Sequence, residues 1–267
     1  MALREVFIQA LKPIGLIYLE GNGVKHAIVS DGFGCFEEIF FKQVYFDAEE
    51  ISRADVVIDL GAHQGTFTIY SALNIKPNGM IISVEPNPKT YSILLENIRL
   101  SKHLILEKNL KIHVINRAVY ISKKIIKLKL TRWSEISYIS TSGNLDVQTI
   151  TLEEIFSLFH HLKDPTILLK MDIEGSERIL LADKQSLELL KKCWRIAIEP
   201  HGDLNRIKEA LERLGFRISV QNITLEPTLC REWLRYKPKL YTRVIATCRF
   251  IASSIAKPKV TIVKAER

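Results

Sequence analysis

Val56-Val57-Ile58-Asp59-Leu60-Gly61-Ala62-His63-Gln64-Gly65-Thr66-Phe67-Thr68 reads as a buried strand, a glycine turn and a helix start in immediate succession. The apolar run ending at Asp59 suits a parallel strand covered on both faces. Gly61 and Gly65 let the backbone turn tightly and approach a ligand where a Cβ would collide, so a ligand site is expected at the carboxyl end of that strand. The spacing is Asp59-x-Gly61-x-x-x-Gly65, with His63 between the glycines. It lacks the middle glycine of Gly-x-Gly-x-x-Gly, which admits a pyrophosphate, and the Gly-Lys-Ser/Thr ending of a triphosphate loop. A cofactor without phosphates fits better. Glu85 ends a second apolar strand, Met80 to Val84, about 20 residues after the turn, where an acidic side chain accepts both ribose hydroxyls. An adenosine with a free ribose is implied, and S-adenosylmethionine meets both conditions.

A chain of 267 residues with 47% hydrophobic content can bury one substantial core, and its length suits one domain with additions. The net charge of +8 favours acidic or phosphate-bearing partners, but the basic residues are scattered, with denser patches at Lys123-Lys124, Lys127, Lys129 and from Lys257 onward. Cys35, Cys193, Cys230 and Cys248 form no Cys-x-x-Cys pair. Reduced thiols and a cytoplasmic location are the default for such a pattern. Lys12-Pro13 interrupts the apolar stretch Ala10 to Leu19, and no run reaches the roughly 18 apolar residues of a membrane span. The oligomeric state has no signature in the sequence.

From Asp55 onward apolar β-rich runs alternate with helical patterns, which predicts a mostly parallel sheet flanked by helices on both faces. Strands are expected at about 55–60, 80–85, 111–117, 166–171, 194–199, 216–222 and 241–249, and helices at about 65–75, 88–101, 152–160, 177–191 and 203–214. Asn87 is placed to cap the helix that begins at Pro88, and Gly215 to end the last one. Residues 1–54 read as a β-rich extension or lid, with strands at 25–30 and 37–46 around the Asp31-Gly32-Phe33-Gly34 turn. A hairpin is expected at about 123–151, pairing the alternating Ile125 to Leu130 with Asn144 to Thr151. Inserted after the third strand, it would overhang the cofactor end of the sheet. The domain proper is expected to span 55–250, followed by a basic tail at 251–267, which as a terminus is free to be unstructured.

The fourth main strand ends in Leu169-Lys170-Met171-Asp172-Ile173-Glu174-Gly175-Ser176-Glu177. Carboxylates crowded at the end of a buried strand are unfavourable unless they meet cations, hydrogen-bond donors or solvent. Together with Asp59 to Gly65, Ser83-Val-Glu-Pro-Asn-Pro88, Ile196-Ala-Ile-Glu-Pro-His201 and Glu38-Ile39-Phe40 to Tyr45, this segment resembles the FkbM family of S-adenosylmethionine-dependent methyltransferases, over roughly residues 37–222. The resemblance implies an α/β, Rossmann-like class I methyltransferase fold with a seven-stranded sheet of order 3-2-1-4-5-7-6, its last strand antiparallel. It also implies that Asp59, Gly61, Ala62, His63 and Gly65 line the methionine end of S-adenosylmethionine. Glu85 would hold the ribose, and Asn116-Arg117-Ala118 would lie beside the adenine, although many relatives of the fold have an acidic residue where this chain has Asn116.

Methyl transfer to a hydroxyl calls for a general base. The candidates are His201, Asp172, Glu174 and Glu177. His201 is favoured because an imidazole titrates near neutral pH without a large shift, with Glu199 close enough in sequence to orient it. Asp172 is expected to face the methionine ammonium or the substrate, and Glu174 and Glu177 to hold the loop or assist a metal. Asp172 and Glu174 supply two oxygens for a magnesium site, but the spacing offers no further ligand, so no metal is assigned. His26, His113 and His160-His161 show no metal-ligand pattern. The favoured acceptor is a hydroxyl on a small molecule, saccharide or glycolipid. RNA methylation is the second reading, prompted by the basic balance, and a non-catalytic nucleic-acid-binding or scaffold protein the third. Against RNA, Asp172-Ile173-Glu174 stands where base-methylating relatives of the fold carry Asn/Asp-Pro-Pro, and acidic groups there repel a phosphate backbone.

Overall fold

The computed structural model describes residues 5–11, 14–21, 24–30, 34–130, 137–224 and 259–267. Its centre is a seven-stranded sheet built from β4 (Val56–Leu60), β5 (Met80–Val84), β6 (Lys111–Ile115), β11 (Ile167–Met171), β12 (Arg195–Ile198), β13 (Arg217–Thr224) and β14 (Lys259–Glu266). Read across, the order is β13-β14-β12-β11-β4-β5-β6, which from the β6 edge and numbered within this sheet alone is 3-2-1-4-5-7-6. β4, β5, β6, β11 and β12 run parallel, whereas β14 lies antiparallel between β12 and β13. Every residue of β4, β5 and β11 is buried, as continuous apolar runs require when helices cover both faces.

Side chains alternate between two cores. Val56, Ile58, Leu60, Leu169 and Ile198 pack with α6 (Leu152–Ser157), α7 (Glu177–Ala182), α8 (Lys184–Leu190) and α9 (Leu204–Arg213) on one face. Val57, Ile81, Leu168 and Ile262 pack on the other with α3 (Thr66–Asn74) and the segment before β4. Asn87 accepts from the Lys89 amide and Pro88 takes the first position of α4 (Pro88–Leu100), as expected. A further helix, α5 (Lys102–Glu107), follows it directly. The helix expected over 177–191 is two helices, because Asp183 takes an extended backbone and caps α8 through the Ser186 amide.

Two smaller sheets flank the main one. β1 (Glu5–Leu11), β2 (Ile14–Gly21) and β3 (Val24–Ser30) form an antiparallel three-stranded sheet. The strand expected at 37–46 is absent: α1 (Gly34–Phe36) runs into a π-helical turn, Glu37–Phe41, which buries Phe36, Ile39 and Phe40, and α2 (Ala48–Arg53) follows with an Asp47/Glu50 capping box. The turn expected at Asp31 lies largely outside the described residues. In the insertion, β8 (Ile125–Leu130) and β10 (Leu145–Ile150) pair antiparallel, β9 (Ser137–Ile139) adds to β8, and β7 (Ala118–Val119) pairs parallel with β10. Ile126, Leu128 and Val147 turn inward while Ile125, Lys127 and Lys129 face out.

The carboxyl end of the chain departs most from expectation. The segment read as a basic tail supplies β14, with Val260, Ile262, Val263 and Ala265 buried. Its lysines hid an apolar alternation, and Glu266 is neutralised by Arg195 and Arg217. The domain therefore extends to 266, and the strand expected at 241–249 lies outside the described residues. No helix among the described residues is long and apolar enough to cross a membrane.

Candidate active site

A cavity of about 430 Å³ opens at the carboxyl ends of β4, β5, β11 and β12. Its floor is the turn after β4, where the amides of Gly61 and Ala62 both donate to the Val84 carbonyl. Gly61 has φ +76° and its missing Cβ would lie 1.7 Å from the Asp172 carbonyl oxygen. The corresponding position at Gly65, φ +81°, is 2.3 Å from Leu94 Cδ1 of α4. Both glycines thus serve the packing of this turn against its neighbours, beyond the ligand approach expected of them. His63, φ 51°, lines the cavity in the left-handed region that non-glycine residues seldom adopt.

Glu85 reaches the cavity from the end of β5 and is 6% exposed. One oxygen accepts from the His63 amide at 2.8 Å; the other accepts from the Asn87 amide and the Thr90 hydroxyl, each at 2.9 Å. Burial nevertheless pushes its pKa up. These bonds fill three of the roughly four acceptor sites of a carboxylate; the one that remains is on the oxygen facing the His63 amide, so one ribose hydroxyl can be met without giving up a tie. Ala118 lines the cavity beside Val119, but Asn116 does not: its amide donates to the carbonyls of Glu85 and Pro86 and fixes that loop from outside.

Asp59 also stands behind the cavity wall. Wholly buried, it accepts from Thr68 at 2.8 Å and pairs with Lys170 Nζ at 3.1 Å. Lys170, itself 4% exposed, donates to the Gly61 carbonyl at 2.6 Å and lies 3.8 Å from Asp172. Burial works against its charge, but Asp59 and Asp172 outweigh it and hold its pKa above the ordinary value. This lysine clamps the glycine turn to the end of β11. Losing one partner of such a buried pair costs about 3–5 kcal/mol, because the other charge is left unmatched.

Beyond the turn the walls are acidic. Asp172, Glu174 and His201 gather within reach of one another, with ligand-type atoms all within 4.8 Å. His201 Nε2 is 3.4 Å from Glu174 and 3.9 Å from Asp172 Oδ1, while Nδ1 is 3.2 Å from Glu177. Glu177, expected to hold the loop, is fully buried and accepts from the amides of Ile173 and Gly175. It is this carboxylate, not Glu199, that meets the imidazole. Burial disfavours the charged imidazole, but the hydrogen bond to Glu177 and the charges of Asp172 and Glu174 prevail and carry His201 up to about 9. The expected titration near neutrality without a large shift does not hold in these surroundings. Glu174, φ 53°, is pushed by burial, against the pull of His201, to about 7.

Tyr45 is the group that sequence reasoning missed. It lies in the segment before the domain, is 3% exposed, and its hydroxyl sits 2.9 Å from Glu199 Oε2 and 3.2 Å from Asp172 Oδ2. One hydroxyl proton serves both carboxylates, and burial followed by their charge raises the tyrosine pKa well above its ordinary value. Its sequence neighbourhood belongs to the motif set, but nothing in a lone tyrosine announces a partner 127 residues away. Lys170 stands in the Lys-x-Asp-x-Glu segment that carries the family resemblance, but the sequence assigns it no role.

The FkbM methyltransferase domain model matches residues 59–218, more than half of the chain, from the end of β4 through β5, β6, β11 and β12. A comparison with curated proteins finds no match. Similar solved structures include an FkbM methyltransferase from Methylobacillus flagellatus KT at 14% identity and TM-score 0.45, covering 70% of this chain and 44% of that one. Others are precorrin-6y C5,15-methyltransferase from Geobacter metallireducens GS-15, at 14% and 0.40 with 82% and 85% covered, and a putative tRNA (m1A22) methyltransferase from Streptococcus pneumoniae, at 13% and 0.42 with 82% and 69% covered. On the match of its domain, this chain belongs to the FkbM family of S-adenosylmethionine-dependent methyltransferases.

Proposed function

We propose that the protein transfers a methyl group from S-adenosylmethionine to a hydroxyl of a small molecule, with a saccharide or glycolipid acceptor preferred. The observation that carries this reading is the single cavity joining Gly61, His63 and Glu85 at one end to Asp172, Glu174 and His201 at the other. The first end fits an adenosine with a free ribose. Glu85 faces the space, and Lys170, the one lysine among the described residues that line it, is already committed to Asp59 and the Gly61 carbonyl, so no lysine among them is left to hold phosphates. When bound, S-adenosylmethionine would supply a sulfonium-bound methyl group open to in-line attack by the acceptor oxygen, with S-adenosylhomocysteine as the leaving group and the hydroxyl proton passing to a base.

The chain's own residues hold the acceptor, remove its proton and balance charge. Positioning a nucleophile correctly is worth about 7–11 kcal/mol of barrier, and a general base adds roughly 10²–10⁴-fold. His201 keeps its proton at neutral pH, so Glu174 beside it is the better acceptor, with the imidazolium as its counter-charge. Asp172, held by Tyr45 and Lys170, faces the junction of the two ends and suits the methionine ammonium or the acceptor. Glu174→Gln is expected to lower kcat about 10²-fold or more while leaving cofactor affinity near wild type; equal losses in both would remove it from the role of base.

Calorimetric titration with S-adenosylmethionine, using NAD and ATP as controls, tests the reading at its base. Selective binding is expected, followed by turnover in a screen of hydroxyl acceptors that begins with sugars. Absence of binding by folded protein would overturn it. RNA is less well supported, because the carboxylates at the acceptor end oppose a phosphate backbone.

A further inference from the structure

The sequence offered two oxygens for a cation and no third ligand; the fold brings His201 to them. Metal ligands about 2.1 Å from an octahedral ion lie about 3 Å apart when adjacent and about 4.2 Å apart when opposite. The 3.4 and 3.9 Å separations of His201 Nε2 from Glu174 and Asp172 fall in that range. Asp172 gives Oδ2 to Tyr45 and Lys170, which leaves Oδ1 turned toward the imidazole.

A separate observation bears on the imidazole. Glu177 contributes nothing to the three-residue group, yet it is fully buried, fixed by two backbone amides, and bound to Nδ1. Ligating histidines almost always donate their far nitrogen to a carboxylate, a backbone carbonyl or water, which sets the tautomer and aims the other nitrogen at the metal; Glu177 is a partner of this kind. Here that aim is into the cavity, lined by Asp172, Glu174 and His201 alike. Glu199 adds a fourth carboxylate to the same corner, against two cations, Lys170 and His201.

We propose that Asp172, Glu174 and His201 bind one divalent cation at the acceptor end of the cavity, with Glu177 as the residue that positions His201. Two carboxylates suit magnesium or manganese, and an imidazole suits first-row transition ions; manganese satisfies both. Its role rests on the methyl-transfer reading. The ion replaces the imidazolium as the positive charge between the carboxylates and leaves coordination positions open to the cavity for acceptor oxygens. A hydroxyl bound there gives up its proton more readily, which lessens the demand on Glu174 as a base.

The test is titration of chelator-stripped protein with MnCl2, followed by loss of the free-ion electron paramagnetic resonance signal. Circular dichroism on the same samples reports the fold of each variant, and S-adenosylmethionine calorimetry reports the cofactor site. One ion per chain is expected, with binding at least about tenfold weaker in Glu174→Gln and His201→Gln, and about 10–100-fold weaker in Glu177→Gln. No uptake at millimolar manganese, or uptake that these substitutions leave unchanged, overturns the site. Stoichiometric manganese binding without cofactor binding keeps the site and sinks the methyl-transfer reading; cofactor binding without manganese does the reverse.

Discussion

Glu85 is tied into the fold and, on the proposed reading, serves the ligand as well. Its carboxylate ties the turn after β4 to the start of α4 through His63, Asn87 and Thr90, while its buried position in the cavity wall leaves acceptor capacity for a ribose. Replacement by alanine removes the loop ties and, on the proposed reading, the ribose contact. Glu85→Ala is expected to weaken S-adenosylmethionine binding by about 1–3 kcal/mol, the cost of unmade hydrogen bonds to a charged group. Calorimetry reads the affinity, and a thermal melt separates it from the loss of loop ties. Unchanged affinity would remove the ribose assignment. Asp59 and Asn116 illustrate the opposite case, since both were expected at the ligand and neither lines the cavity: Asp59 holds Thr68 and Lys170, and Asn116 holds the carbonyls of Glu85 and Pro86. A motif fixes which residues matter and leaves open whether they touch the ligand or support what does.

At the scale of elements, the strands with unbroken apolar runs were legible and those with interleaved charges were not. β4, β5 and β11 follow the sequence closely, because burial on both faces leaves no room for polar residues before the strand end. β14 alternates lysine and threonine with apolar residues, and its register beside β12 depends on partners far away in sequence. The π-helical turn at Glu37–Phe41 was read as a strand because aromatic and β-branched residues dominate it. If β14 belongs to the core, Ile262→Ala, at a fully buried position, destabilises by about 2–5 kcal/mol, measurable as a lowered denaturation midpoint. A change below about 0.5 kcal/mol, typical of a surface position, would mark β14 as peripheral. Another element-level tie sits at the foot of β4. Asp55 is disfavoured as a charge by burial, but Lys76 at 2.7 Å and the Thr166 amide at 2.8 Å more than offset this and lower its pKa. A lowered folded-state pKa contributes stability above the unfolded value near 3.8 that disappears as pH falls through the folded one. Wild type should therefore lose stability across that acid window more steeply than Asp55→Asn, and parallel acid titrations of the two would discard the tie.

On the scale of the whole molecule, charge is distributed against its own average. The chain carries +8, and lysines stud the outer face of the inserted sheet, yet the acceptor end of the cavity gathers Glu38, Asp172, Glu174 and Glu199. The composition alone invited an RNA partner, because net charge is visible in a sequence and the place where opposite charge converges is not. Convergence needs the ends of β11 and β12 to lie side by side and the segment bearing Glu38 and Tyr45 to fold over them, which only long-range pairing decides. A phosphate group brought into this corner would face carboxylates about 4 Å away, where like charges repel by about 4 kcal/mol at an effective dielectric constant of 20. Neutral or cationic hydroxyl acceptors are therefore expected to be methylated, and their phosphate monoesters to lose at least about tenfold in kcat/KM, with the loss shrinking in the Glu174→Gln variant. Comparing each acceptor with its monoester in metal-free buffer isolates the effect of the carboxylates, and equal turnover of the pair would show that the acceptor's charged end never enters this part of the cavity.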